Sequence, residues 1–329
     1  MLILKAEDVR QAFPMREGIV AMKHAYAAVS AGTADVPLRT SLSVPAHRGV
    51  SLFMPAYVST ASSEALAVKA VSLFPANPSA GLAYIQAAVL LFDPQTGRAL
   101  ALLEGSSLTA IRTGAASGAG IELLSRAESR VAAIFGAGVQ GRTQLEAACT
   151  ARSISSVLVY DPSPDRARAF ADEMRGRSGA PADIRVAVSP RDALAEADIV
   201  CTATTSMHPV FEDADLQPGT HISAIGAYTP EMREIPAETV VRARVVVDSR
   251  SAALAEAGDL IQPIRSRLID ESHIHAELGE IVLGRRPGRD SPDQITLFKS
   301  VGIAAQDAVA AEHAYRNAVR LGLGQEVSF

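Results

Sequence analysis

Residues Val131 to Ala147 read VAAIFGAGVQGRTQLEA. A short apolar run, VAAIF, ends in Gly136-Ala137-Gly138, and a helix-like pattern opens at once with Val139, Gln140 and Gly141. The spacing is G-x-G-x-x-G. Its mechanism requires a strand before it and a helix after it, and both are predicted here. Gly136 suits a tight turn, Gly138 lets a pyrophosphate approach the backbone, and Gly141 lets helix and strand pack closely. The helix N-terminus then turns its unpaired N–H groups toward phosphate.

About 20 residues further on, the run VLVYD ends in Asp161. A carboxylate there accepts from the adenosine ribose and repels a 2′-phosphate, which favours NAD over NADP. Arg166 and Arg168 follow on the next helix-like segment and keep NADP open. The rhythm from residue 129 onward alternates strand and helix, with strand candidates RVAAIFG, SVLVYD, IRVAVS, ADIVCTAT, HISAIGA and ARVVVD. Short buried runs separated by helices predict a parallel sheet covered on both faces, wound by right-handed crossovers.

Upstream the pattern differs. MREGIVAMKHAYAAVS predicts a helix with Ile19, Met22, Tyr26 and Val29 on one face. Strand-like runs follow, among them LRTSLSVP, GVSLFMPAYV and EALAVKAVSLFP, and AYIQAAVLLFD and RALALLEG flank the hairpin signal PQTG. SLTAIRTGAASGAGIELL predicts a long helix whose Gly114, Gly118 and Gly120 suit close approach by another backbone or a ligand. The C-terminal SVGIAAQDAVAAEHAYRNAVRLG predicts an Ala-rich helix returning to the first domain.

Composition narrows the class. The chain has 329 residues, 48% apolar and 20% charged, with a net charge of -5. That length suits two domains, and the acidic balance argues against nucleic acid as a partner. There is no uncharged apolar run of membrane-spanning length, and MLILKAEDVRQAF is too short and acidic for a signal peptide. Cys149 and Cys201 form no disulfide framework or metal motif, and His273 and His275 read as solvated loop residues. A cytoplasmic, metal-free protein without membrane partners is expected.

Three cations stand in unusual settings. Arg39 lies in PLRTSL, Lys69 in LAVKAVSLF and Arg112 in LTAIRTGAAS. Counting by two from Lys69 reaches Ala67, Val71 and Leu73, so the lysine shares an apolar face. No acid nearby in sequence is an obvious partner. Two readings stand for each cation taken alone. Its stem snorkels to the surface, or it lines a cleft for an anionic ligand. In the second reading an arginine binds a carboxylate bidentately, and a lysine beside arginines has a lowered pKa suited to proton transfer near neutrality.

These motifs together resemble the ornithine cyclodeaminase/mu-crystallin family. The resemblance runs nearly the whole length, through PLRTSL, FMPAY, AVKAVSLFPANP, LTAIRTGAASGAG, GAGVQGRTQLEA, ADIVCTATTS, HISAIGAYTPEMREI, VVVDSR and LFKSVGIAAQDAVAA. It implies an α/β fold in which a Rossmann-like doubly wound parallel sheet domain, residues 126–305, binds NAD(P). That domain is inserted into an α+β substrate-binding and dimerisation domain, residues 1–125 plus 306–329. Homodimers are implied too. Arg39 and Arg112 are expected to hold a substrate carboxylate, with Lys69 beside the carboxylate or reacting nitrogen and active in proton transfer. Met54 and Tyr228 join the substrate set. Thr113, the run Thr202, Ala203 and Thr204, and Val301 complete the cofactor set begun by Gly136, Gly138, Val139, Gln140, Gly141 and Asp161.

The chain departs from cyclodeaminases at two positions. Where they carry an aspartate two residues after the glycine of IGA, this sequence has Tyr228. A phenol with an ordinary pKa of about 10 is a poor base at neutral pH. Where ornithine cyclodeaminases carry a glutamate two residues before MP, this sequence has Leu52. The resemblance therefore implies an NAD(P)H-dependent reductase of cyclic α-imino acids, Δ1-pyrroline-2-carboxylate first and the six-membered homologue next. Leu52, Phe53 and Met54 would cover the ring. The alternatives are ornithine cyclodeamination, an alanine-type dehydrogenase, and a mu-crystallin-like protein that binds small carboxylates without catalysis.

Overall fold

A computed structural model describes residues 1–60 and 63–328. The chain separates into two compact units, Met1–Arg112 with Ile303–Phe329, and Thr113–Gly302. The division falls inside the helix Gly105–Leu124, earlier in the chain than the expected 125/126 boundary, and the return falls at 302/303 where 305/306 was expected.

The second unit is built on an eight-stranded sheet with every pairing parallel. From one edge the strands are Ile184–Val186, Ser156–Tyr160, Val131–Phe135, Ile199–Thr202, His221–Ala224, Thr296–Lys299, Arg244–Val247 and Ile274–Glu277. Except that Thr296–Lys299 inserts ahead of Arg244–Val247, chain order runs outward in both directions from the pair Val131–Phe135 and Ile199–Thr202. That pair is the topological switch point, where doubly wound sheets open a crevice at their carboxyl ends. Alternate residues feed two cores. Ala133, Phe135, Val200 and Ile222 pack on one face, and Ala132, Ile134, Val157, Val159 and Cys201 on the other. Strands buried on both faces are why the sequence shows unbroken apolar runs.

Two strands lie outside the sequence reading. Thr296–Lys299 inserts between His221–Ala224 and Arg244–Val247, and Ile274–Glu277 forms an edge. The second corrects the reading of His275, which stands in a strand with Nε2 3.0 Å from the Pro287 carbonyl. His273 ends a short 3-10 turn and reaches the Val240 carbonyl at 2.7 Å. Of the helix glycines, a Cβ on Gly114 would meet the Thr143 carbonyl oxygen at 2.5 Å, so its use is a close backbone approach.

The first unit carries a mixed eight-stranded sheet. Its path is Gln325–Glu326, Leu2–Leu4, Ala99–Glu104, Ile85–Phe92, Glu64–Leu73, Gly49–Ser59 and Ala34–Asp35, with Thr40–Val44 also paired to Gly49–Ser59. Only the pairing of Leu2–Leu4 with Ala99–Glu104 is parallel. The C-terminal helix Ala304–Leu321 packs across Glu64–Leu73 and Gly49–Ser59 and against the helix Met15–Ala31. Its buried face is mostly alanine, which lets the helix sit close to the sheet.

One ion pair stands at full burial in the second unit. Lys299 Nζ lies 2.9 Å from Asp259, and neither side chain is exposed. Asp259 also accepts from the backbone N–H groups of Glu234 and Ile235 at 2.7 and 2.9 Å. Replacing Asp259 by alanine leaves a buried ammonium uncompensated and is expected to cost about 3–5 kcal/mol. Asp259→Ala combined with Lys299→Met is expected to recover part of that loss. Equilibrium urea denaturation measures both, together with Lys299→Met alone, and a double loss equal to the sum of the two single losses would show that the pair is not coupled.

Candidate functional site

The first unit brings two of the three expected cations to one carboxylate. Strand Glu64–Leu73 alternates buried and half-buried residues, which turns Lys69 inward with only 2% of its surface exposed. Met54, itself buried, is its cross-strand partner. Arg112 projects from the helix Gly105–Leu124 and is also buried. Asp307, in the first turn of Ala304–Leu321, meets both: Oδ2 lies 2.6 Å from Lys69 Nζ, and Oδ1 accepts from Arg112 Nε at 3.0 Å. Arg112 Nη1 donates to Gln306 Oε1 at 3.0 Å, an oxygen that also accepts from the Ile303 N–H at 2.9 Å.

Asp307 is the acid partner that no neighbouring stretch of sequence offered. It lies 195 residues from Arg112, beyond any local inspection. The available signal was a polar pair, Gln306-Asp307, set among alanines on what became the buried face of a helix.

Electrostatics make this cluster unusual. Burial pushes the Lys69 ammonium down, Asp307 opposes the fall, and Arg112 and Arg39 add to it, leaving Lys69 at about 7. Arg39 is half-buried and acts on Lys69 through its charge. Burial alone would raise the Asp307 carboxyl, but Arg112 and Lys69 outweigh it and hold the group below the ordinary carboxylate range.

The second unit carries the glycine turn. Gly136 follows the strand Val131–Phe135 at φ +99°, a left-handed conformation that glycine adopts without strain. A Cβ there would also meet the Ala203 carbonyl oxygen at 2.6 Å. Gly138 caps the helix Val139–Ala151, with no side chain capping its N–H groups and open space where a Cβ would stand. A Cβ on Gly141 would lie 2.1 Å from the Gly136 carbonyl oxygen, so that glycine serves packing. Gly136, Gly138, Asp161, Arg166, Ala203 and Thr204 line part of a cavity of about 610 Å³.

Asp161 follows the strand Ser156–Tyr160 with its side chain almost fully buried. It accepts from the N–H groups of Ala137 and Ser163 at 3.0 and 2.9 Å, and from Arg166 Nη2 at 2.9 Å. Burial pushes it up, yet these donors outweigh burial and hold it ionised well below the usual range. Ala137 is part of the glycine turn, so Asp161 fixes the turn as well as facing the cavity. Arg168 instead pairs with Asp165 on the surface.

The remaining cofactor candidates divide. Val139 is exposed and Gln140 half-buried in the first turn of Val139–Ala151. Thr202 is fully buried with its hydroxyl 2.9 Å from Glu234, so it supports the loop and does not line the cavity. The Thr113 carbonyl accepts from Gln144 Nε2, and the Val301 N–H donates to Asp248; neither lines that cavity. Tyr228, in the loop after His221–Ala224, is half-buried.

Sequence reasoning missed Glu234 as an organiser. It is fully buried, and its two oxygens accept from Thr202, the Thr204 N–H, and the N–H groups of Gly226 and Ala227 at 2.7 to 3.2 Å. It thereby ties together the loops following two central strands. Burial raises its carboxyl, and Lys299 pulls against that rise.

A glycine turn at the switch point of a parallel sheet defines the second unit as a nucleotide-binding α/β unit, and the first unit carries the buried Lys69–Asp307–Arg112 cluster. The chain belongs to the ornithine cyclodeaminase/mu-crystallin family, which it matches over residues 1–321. It is 40% identical over 330 residues to a Δ1-pyrroline-2-carboxylate reductase of Bacillus cereus, covering 100% of both chains. The solved structure of Thermococcus litoralis Δ1-pyrroline-2-carboxylate reductase, in complex with NADH and L-proline, superposes with a TM-score of 0.94 at 46% identity, covering 99% of this chain and 100% of that one. An archaeal alanine dehydrogenase dimer with bound NAD gives a TM-score of 0.92 at 32% identity, covering 100% and 99%.

The two glycines separate binding from packing. Gly138→Ala places its methyl in open space and is expected to change stability by less than about 0.5 kcal/mol. Gly141→Ala forces the turn apart and is expected to cost about 1–3 kcal/mol. Urea denaturation of the two variants checks the contrast, and a Gly138 variant as destabilised as the Gly141 variant would contradict it.

Proposed function

We propose that the chain is an NAD(P)H-dependent reductase of cyclic α-imino acids, converting Δ1-pyrroline-2-carboxylate to L-proline, with the six-membered homologue giving L-pipecolate as the next substrate. The observation that carries this reading is the buried cluster in which Lys69 and Arg112 share the single carboxylate of Asp307. Relatives of the same length with the same named reaction support it.

The residues of the second unit fit a dinucleotide. Gly138 leaves room for a pyrophosphate against a helix N-terminus whose N–H groups have no side-chain cap. Asp161 favours NADH, because its carboxylate accepts from a ribose and repels a 2′-phosphate. Arg166, paired with Asp161, gives NADPH a foothold, so the preference is one of degree. When bound, the reduced nicotinamide supplies hydride.

The protein's own part is binding and proton handling. Arg112 and Arg39 take the substrate carboxylate, and Arg112 is presented with its Nε and Nη1 already fixed by Asp307 and Gln306. A ring imine accepts hydride well only when its nitrogen is protonated. Lys69, titrating at about 7, holds or delivers that proton near neutral pH. Hydride adds to the ring carbon, the proton stays on nitrogen, and the C=N bond becomes CH–NH. Met54 supplies apolar surface against the ring methylenes, with Leu52 on the same face of the strand, whereas Phe53 points to the opposite face and drops out of the expected ring cover.

Cyclodeamination of a diamine needs more. It requires a base for the reacting nitrogens and an acid to pair the distal amine, and Tyr228 and Leu52 stand at those positions. Glu234 does not replace the missing base, since it is fully buried with both oxygens committed to loop donors.

A homodimer and a cytoplasmic site of action complete the reading. Leu38, Leu42 and Phe53 stand 68%, 56% and 39% exposed on or beside neighbouring strands of the first unit, an apolar surface suited to a second copy. No helix among the described residues is long and apolar enough to cross a membrane, and Cys149 and Cys201 are free thiols.

The assay is direct. Δ1-pyrroline-2-carboxylate is expected to drive loss of NADH absorbance, while L-ornithine with NAD releases no measurable ammonia. Substantial ammonia from ornithine would overturn the reading. Binding of a cyclic imino acid without cofactor oxidation would favour the non-catalytic alternative.

A further inference from the structure

The cation cluster holds more positive than negative charge. Lys69 and Arg112 are both buried, and among the described residues Asp307 is the carboxylate that pairs with both. Arg112's other fixed contact is a neutral amide oxygen of Gln306, where a second carboxylate would have balanced the pair. The charged groups acting on Lys69 come from three separate elements: Asp307 on the C-terminal helix, Arg112 on Gly105–Leu124, and Arg39 ahead of the strand Thr40–Val44. Two of the three oppose its protonation.

We propose that Asp307 is a positioning residue: it bridges Lys69 and Arg112 yet leaves the cluster short of negative charge, so that a carboxylate ligand enters together with a proton taken up by Lys69. The proposal rests on the reading that a ring carboxylate docks at these cations. Its sign is fixed by electrostatics. An anion arriving beside a buried lysine favours the charged form, so a lysine partly neutral in the free protein gains a proton on binding. The buried neighbourhood makes the effect large, because little solvent screens it. Substrate binding then loads the donor that reduction needs. An empty site keeps Lys69 poised between its two forms.

Asp307 sets the balance point. Its Oδ1 fixes the Arg112 guanidinium, and its Oδ2 stabilises the Lys69 ammonium. Asn at this position keeps the size and the oxygen facing Arg112, but turns an N–H₂ donor toward Lys69 and so favours the neutral amine. Glu restores the charge with one methylene more. A merely structural Asp307 would lower stability or rate without moving a titration.

Pyrrole-2-carboxylate, a planar ring carboxylate with no C=N bond to reduce, serves as the probe. Calorimetric titration of the full chain at pH 8, in two buffers of different ionisation enthalpy, gives the protons taken up per site. More than about half a proton is expected at pH 8, falling toward zero near pH 6 where Lys69 is already charged. The basic limb of kcat/KM for Δ1-pyrroline-2-carboxylate is expected to lie near pH 7. In Asp307→Asn it should move at least about one unit toward acid, and Asp307→Glu should bring it back. Binding without proton uptake, or an Asp307→Asn profile with its limb unmoved, overturns the proposal and leaves the functional reading standing. Failure of the probe to bind, with no reduction of the imino acid, overturns both.

Discussion

Two oxygens of one carboxylate divide the work of the first unit. Asp307 Oδ1 fixes Arg112, and Oδ2 faces Lys69, each at hydrogen-bonding distance and out of contact with solvent. Buried cations survive only when paired, and removing the partner of such a pair is among the most destabilising changes a protein can suffer. The placement of the C-terminal helix follows from that constraint. Ala304–Leu321 has to lie close over Glu64–Leu73 for Asp307 to reach Lys69, and its run of buried alanines is what permits the distance. The chain's last helix therefore completes a cluster whose other members come from the first 112 residues.

The second unit uses buried carboxylates for a different purpose. Asp161 holds the N–H of Ala137 inside the glycine turn. Glu234 gathers donors from the loops after Ile199–Thr202 and His221–Ala224. Asp248 accepts from Ser300, Val301 and Gly302 at 2.7 to 2.9 Å. Each sits at the carboxyl end of the parallel sheet or fastens the loops there. Loop backbone N–H groups that would otherwise be left without partners are thereby satisfied, and the loops acquire one fixed shape. A doubly wound sheet places ligands at that end, so rigid loops there serve binding as well as stability.

Much of this was legible from residue patterns because local rules govern it. The glycine turn, the strand before it and Asp161 after it follow from backbone sterics and a fixed crossover length. Lys69's inward face follows from a period of two. What escaped were features set by distant parts of the chain. Asp307 pairs with Arg112 across 195 residues. Thr296–Lys299 reads as a short apolar run after a polar loop, and nothing local says that it inserts between two strands that precede it in sequence. Thr202 matched a motif position, yet its hydroxyl belongs to Glu234, a residue 32 positions later whose burial no periodicity announces.

The central claim is that Lys69 is a buried lysine poised near neutrality whose proton affinity answers to an anion. Lysine labelled with ¹³C at Cε lets that ammonium be titrated directly by NMR, with Lys69→Met identifying its resonance. A midpoint near 7 is expected in the free protein, with a clear upward move when pyrrole-2-carboxylate is bound. A Lys69 resonance that titrates with the ordinary lysines at about 10.4, or one indifferent to the bound carboxylate, would contradict it.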